Sequence, residues 1–330
     1  MIRGRRLIPV RRGPVMYQPS MVGPSQPPEL KIAHEPTPKE CAEVKGVIGV
    51  ATNFPPELVD IVMDFAEYWA CSKASIDYTM TTSGHLTIAG ARAGEDEDQF
   101  LLRTEPLGLT TWHWDDQENW RAAAPARKLD QEYPRQELER FVEGPPSTLE
   151  HPFRKITFDI VSKDQGFSND SASWTWFDAG IDRFDKGHTR KHPGPFHRIV
   201  SYINTLLGSS NSERGPPTDA IRPVWPPLKE DTTAYDHELH PTADHMIQCN
   251  RLGEYDWQHH HVEWLWTDDI DPESSAAENL KESGRGSATG NGSFLRSLKV
   301  GDMLTVWGRA RFPNWSNSVE KVEVQVYWAL

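Results

Sequence analysis

Met303-Leu304-Thr305-Val306-Trp307-Gly308-Arg309-Ala310-Arg311-Phe312 and Val319-Glu320-Lys321-Val322-Glu323-Val324-Gln325-Val326-Tyr327-Trp328 are two runs of alternating apolar and polar residues. Pro313-Asn314-Trp315-Ser316-Asn317-Ser318 separates them. A period of two marks a strand with one buried face, and two such runs about a turn-forming segment read as an antiparallel hairpin. Leu304, Val306, Ala310 and Phe312 are expected inside on the first strand, and Val322, Val324, Val326 and Trp328 on the second. This end of the chain reads as antiparallel β.

The same period recurs upstream. Lys155–Ser162 places Ile156, Phe158 and Ile160 on one face, Ser173–Phe184 places Phe177, Ala179 and Ile181, and His259–Trp266 places Val262, Trp264 and Trp266. Trp174 and Trp176 have the opposite parity to Phe177, which suggests a bulge or twist between them. Nine of the thirteen tryptophans follow residue 150, as bulky residues filling a sheet-on-sheet core would. Short strands joined by irregular loops, with no helical pattern between them, argue for a sandwich rather than a parallel sheet. The expected fold class is α+β. A jelly-roll-like antiparallel β-sandwich spans 151–330, a small helical segment with acidic loops lies within 51–150, and residues 1–50 form a tail.

Within 51–150, Phe54-Pro55-Pro56 opens a segment in which Leu58, Ile61, Val62, Phe65 and Trp69 fall on one helical stripe. Pro at the first helical position and acid in the first turn are start signals. That stripe is expected to pack onto the protein's own β-domain. A weaker helix is expected over Arg135–Glu143 and a short strand over Gln99–Leu102. Met1–Pro28 holds Arg3, Arg5, Arg6, Arg11 and Arg12 and no acid, with prolines that break an amphipathic helix, so it reads as a basic disordered tail.

The 330 residues carry a net charge of −13, which argues against broad nucleic-acid binding. Cys41, Cys71 and Cys249 are few and far apart, implying no disulfide framework. No apolar run is long enough to span a bilayer. A cytoplasmic or nuclear setting is expected, with no nucleic-acid or membrane partner. Asn169-Asp170-Ser171, Asn291-Gly292-Ser293 and Asn314-Trp315-Ser316 match the glycosylation tripeptide and read as chance matches.

Phe54-Pro55-Pro56-Glu57-Leu58-Val59-Asp60-Ile61-Val62 resembles the opening of an F-box, Leu-Pro-x-Glu-Leu followed by an apolar helix, with Phe at the first Leu. The later Trp-containing part of that motif is replaced by Ala66-Glu67-Tyr68-Trp69. The resemblance implies a Skp-type adaptor docked on Leu58, Ile61 and Phe65, and substrates presented to a cullin ubiquitin ligase. Ser162–Ser168, Ser173–Phe177, Gly301-Asp302 and Trp307–Trp315 are similar to a family of fungal proteins. That family pairs such a helix with a Trp-rich C-terminal β-domain, and the resemblance spans about 54–330 without implying an activity. More distantly, Asp164-Gln165-Gly166-Phe167 and Trp315–Val319 resemble F-box-associated and phloem-lectin-type sandwiches, some of which bind N-glycan cores. In those an Asp/Gly-Gly-Trp element occurs early and a Trp-containing loop late. Here Gln165 and Phe167 depart from that pattern.

His237, His240, His245 and Cys249, followed by His259-His260-His261, invite a metal, but their spacing fits no standard zinc ligand set. On a strand, His259 and His261 share a face and His260 points away. No metal site and no cofactor are expected. Asp115-Asp116, Asp268-Asp269 and Asp271 read as solvated loop charge. No nucleophile elbow, P-loop or dinucleotide fingerprint is present, so the chain reads as non-enzymatic. Arg309 and Arg311 share a face with Trp307. As a recognition surface they would meet a protein or glycan ligand together with Trp315, Asn317, Asp164 and Gln165. As structure, Arg309 would pair with Glu323 across the hairpin, and Trp315 would fold back onto the sandwich end. The leading function is a non-enzymatic interaction protein that binds its ligand through the sandwich loops. The alternatives are the F-box-like adaptor and a hydrolase or metal-dependent enzyme.

Overall fold

The alternating runs form strands, and each strand finds its neighbours far along the chain. The computed structural model describes residues 35–90, 97–109, 120–141, 145–166, 173–187, 216, 218–230 and 232–330. The basic stretch Met1–Pro28, the Asp115-Asp116 pair and Asn169-Asp170-Ser171 lie outside these residues.

Ten strands are described: β1 (Ala70–Asp77), β2 (Leu86–Ala89), β3 (Asp98–Arg103), β4 (Phe153–Lys163), β5 (Thr175–Phe184), β6 (Ile221–Trp225), β7 (Met246–Cys249), β8 (Gln258–Leu265), β9 (Met303–Ala310) and β10 (Ser316–Trp328). They make two five-stranded antiparallel sheets. Sheet A runs β1-β10-β4-β8 with β2 also on β10, and sheet B runs β3-β9-β5-β6 with β7 on β5. One apolar core joins the sheets: Ile156, Phe158, Ile160, Val322, Val324, Val326 and Trp328 from A with Phe177, Ala179, Ile181, Leu304, Val306 and Ala310 from B. Burying each such large side chain contributes about 1.5–3 kcal/mol before entropy is counted.

β9 and β10 are not a hairpin. They belong to different sheets, so the chain crosses the core between Ala310 and Ser316. Phe312 and Asn314 adopt positive φ (67° and 74°) in this corner. Phe312, expected inside, is 38% exposed. The expected pairing of Arg309 with Glu323 is absent, and Glu323 instead pairs with Lys73 at 2.8 Å. Alternation reports only that each strand has an apolar face. Those faces meet equally well side by side in one sheet or opposite each other across a core. In β10 the inward parity changes at Glu320, where a register irregularity in the pairing with β4 lets both Val319 and Val322 point inward. Trp176 needs no such device, because β5 is buried on both faces.

The sheets also begin well before residue 151. β1, β2 and β3 supply strands to both sheets, and Glu35–Leu330 forms one compact unit. Part of the expected tail is a helix, α1 (Pro38–Thr52). Thr37 and Glu40 close a capping box at its start, and Asn53 ends it in the left-handed conformation. After three residues α2 (Pro56–Phe65) follows. The helix expected over Arg135–Glu143 is a single turn, α3 (Arg135–Leu138), extended by a 3-10 turn to Phe141. Two short helices, α4 (Ser275–Glu282) and α5 (Ser293–Ser297), precede β9. Among the described residues, no helix is long and apolar enough to cross a membrane.

Candidate functional site

The residues expected to form a ligand site lie at the corner where β9 gives way to β10, and most of them are interior. Asp164 is 3% exposed, its oxygens accepting from Gly166 N (2.7 Å) and Gly253 N (2.9 Å). Asn317 is fully buried. Its amide donates to Arg309 O at 3.2 Å and its oxygen accepts from Asn250 Nδ2 at 3.0 Å, tying the corner to both sheets. Gln165 Oε1 accepts from Ser316 N at 3.3 Å, and Trp315 is buried. The structure brings Asp164, Gln165, Trp315 and Asn317 to one end of the fold, as packing and hydrogen bonds rather than as a solvated loop.

Arg309 and Arg311 lie on the outer face of sheet B. That face is buried too, since Tyr235 and His237 pack over Trp307 and Trp225 stacks on His245. Arg309 donates Nε to Asp178 (3.0 Å) and Nη1 to Asp98 (2.7 Å) and to His237 Nδ1 (2.6 Å), and it lies over the Trp307 ring. Arg311 donates to the same Asp98 oxygen at 2.6 Å and to Glu238 O at 2.8 Å, above Trp176. Arg103 binds Asp182 at 2.9 Å farther along the face. Burial pushes the His237 imidazole down to about 3, with Arg309 adding to the effect, so it accepts from Arg309 as the neutral ring. Burial pushes Asp98 up, but Arg309 and Arg311 outweigh it and hold the carboxyl below its usual range. At Asp178 burial prevails and the carboxyl is raised, consistent with an Oδ1 that has no hydrogen-bond partner. The hairpin reading puts Arg309 opposite Glu323 and Arg311 opposite Lys321. Their carboxylate partners, Asp98 and Asp178, come from β3 and β5, too distant in sequence for spacing to reveal them.

The metal candidates are dispersed. His237 meets Arg309, His240 packs on Trp174 and His245 stacks on Trp225. His260 is buried while His259 and His261 are exposed. Among the described residues, no group of three or more His, Cys, Asp and Glu is placed to hold a metal ion.

The helical residues behave differently. Successive residues turn by about 100° around a helix, so α2 divides into three arcs. Val59 and Met63 face the core at 2% and 7% exposure. Asp60 and Asp64 form a charged arc: Asp60 pairs with Lys45, and Asp64 accepts both Nε and Nη2 of the buried Arg154 at 2.8 and 3.1 Å. That fork sets the rotation of the helix, and the third arc, Leu58, Ile61, Val62 and Phe65, is left outward. Leu58 is 44%, Ile61 48% and Phe65 86% exposed. Four of the five residues of the stripe expected to be core are therefore surface, the fifth, Trp69, lies beyond the end of α2 and is buried, and the helix makes its own core contact through the neighbouring arc. Val47, Val50 and Phe54 add exposed apolar groups on α1 and the connection. Leu58, Ile61 and Phe65 share one exposed face, whereas Asp164, Trp315, Asn317 and the two arginines are buried and Gln165 is half-buried. Comparison with family models, curated proteins and solved structures finds no match.

Proposed function

We propose that the chain is a non-enzymatic interaction protein that docks a partner protein on the apolar arc of α2, with a jelly-roll-like sandwich as its rigid mount. The observation that carries this reading is the exposure of Leu58, Ile61 and Phe65 together on a helix otherwise anchored by Val59, Met63 and the Asp64–Arg154 fork. Contiguous exposed apolar groups on a folded domain mark interaction surfaces. An anchored helix also presents them without an ordering cost on binding.

The F-box-like opening at Phe54–Val62 supplies the partner class, a Skp-type adaptor, and with it a role in presenting substrates to a cullin ligase in the cytoplasm or nucleus. The test is calorimetric titration of a Skp-type adaptor into the full chain and into Ile61→Ser/Phe65→Ser. Binding by the parent and none by a variant of unchanged melting temperature is the expected result. An adaptor that does not bind the parent chain overturns the partner class. Equal binding by both proteins overturns the site.

A further inference from the structure

β8 is the outer strand of sheet A, bonded to β4 on one side and, among the described residues, to no strand on the other. Trp266 N donates to Arg154 O at 3.0 Å, one step beyond the Lys155–Leu265 pair of the β4–β8 register. Alternation along an antiparallel ladder then turns the backbone groups of Gln258, His260, Val262 and Trp264 toward β4. Those of His259, His261, Glu263 and Leu265 point outward. Two contacts agree with that parity: Leu265 N donates to Asp268 Oδ2 at 3.0 Å, and Glu263 O accepts from Arg285 Nη2 at 3.1 Å. They close the edge at Glu263 and Leu265. The edge at His259 and His261 stays open. Both residues are exposed, and among the described residues no hydrogen bond reaches their outward N–H and C=O groups.

The open stretch is complementary to itself, because it offers a donor and an acceptor on each side of His260. A two-fold axis at His260 sets His259 of one copy opposite His261 of the other. Each such pair exchanges both of its N–H···O=C bonds, so every open group is satisfied. In that register Gln258, the first residue of β8, lies opposite Val262. The second strand therefore ends just short of the Glu263 carbonyl that Arg285 holds. One position farther out, Trp257 of one copy comes opposite Glu263 of the other. Lys163 Nζ sits 4.5 Å from the centre of the Trp257 ring and has no ion pair among the described residues. The ion pair of Glu263 is a long one, to His261 at 3.8 Å. The two-fold thus brings Glu263 of each copy to Lys163 of the other, on the outer face of the sheet.

We infer that the partner of this edge is a second copy of the chain, joined β8 to β8 in a two-fold dimer whose two sheets A run on as one. Unpaired backbone groups on an edge strand are a template for strand addition. A two-fold interface uses the same patch on both copies, which the symmetric open stretch and the reciprocal Lys163–Glu263 charges provide. This interface is separate from the adaptor surface proposed on α2 and does not depend on that reading.

The test is sedimentation equilibrium of the full chain at about 0.15 M salt, which screens the net charge of each copy beyond about 8 Å. A monomer–dimer equilibrium in the micromolar range is expected. His259→Pro removes an outward donor from each copy and leaves the ladder to β4 its bonds, since Pro is tolerated on an edge strand where its nitrogen faces solvent. That variant is expected to be folded and monomeric. Lys163→Glu is expected to weaken dimerisation about tenfold, because it turns two surface ion pairs into like-charge contacts. The charge swap Lys163→Glu/Glu263→Lys should restore it, and it tests the register whatever the stability of the Pro variant. Phe65→Ser should dimerise like the parent. A monomeric parent, a dimer that persists in His259→Pro, or a charge swap that restores nothing would each overturn the assignment. Loss of the dimer in Phe65→Ser would overturn it too, by moving the interface to α2.

Discussion

Arg309 Nη1 lies 2.7 Å from Asp98 Oδ1, an ion pair between residues 211 positions apart in the chain and opposite each other in the β3–β9 ladder. The same oxygen accepts from Arg311, so one carboxylate bridges two buried guanidinium groups. Removing one partner of a buried pair leaves an uncompensated charge and costs about 3–5 kcal/mol. Asp98→Ala is therefore expected to lower the unfolding free energy by about that amount, read as a lower urea midpoint at unchanged slope. The double variant Asp98→Ala/Arg309→Met should lose less than the sum of the single changes. Strict additivity would mean that the pair contributes no coupling.

Neighbouring positions of α2 should respond in opposite ways. Met63→Ala opens space under the helix and is expected to cost about 2–5 kcal/mol. Phe65→Ser changes a side chain that is 86% exposed and should stay within about 0.5 kcal/mol. Thermal unfolding of the two variants side by side checks the helix rotation independently of any partner. A large loss at Phe65 would place that residue in the core instead.

Trp315 is 6% exposed, and the next two residues bond to Gln165, Arg309 and Asn250. Trp315→Ala is expected to destabilise the protein by about 3–5 kcal/mol, as for other buried aromatics. Denaturant unfolding reads this directly. A variant as stable as the parent would return Trp315 to the surface role.

His237 and His260 set an acid limit on stability. Burial lowers both folded-state values, to about 3 and about 4, from an ordinary 6.5. The unfolded chain thus binds these protons more readily than the folded one. Their contribution is complete above about pH 6.5 and is lost as pH falls through the window down to 3–4. The melting temperature should fall across that window, and less steeply in His237→Gln/His260→Gln. Imidazole resonances of His237 that titrate near 6.5 would contradict the buried neutral ring.

Much of the strand content was legible because burial of one face leaves a local trace. Ile156, Phe158 and Ile160 point inward as their spacing requires, and so do Val322, Val324, Val326 and Trp328. The exposure of Leu58, Ile61 and Phe65 was not legible. An apolar stripe looks the same whether it meets its own core or a partner. The choice here rests on Asp64 meeting Arg154, ninety residues away. The candidate site divides in the same manner, since Arg309, Arg311, Trp315 and Asn317 are recognisable as unusual residues, while their burial depends on partners from distant strands.

By itself the sequence determined that the chain folds into antiparallel strands with one-sided apolar faces, and that a proline-initiated helix precedes them. Tertiary structure alone decided that β9 and β10 face each other across the core, that Asp98 and Asp178 meet Arg309, and which arc of α2 is left in solvent. The reason is range. Periodicity records how one segment meets water and the interior, over a few residues. Sheet membership, helix rotation and buried charge pairing depend on contacts between residues tens to hundreds of positions apart, and no local pattern carries them.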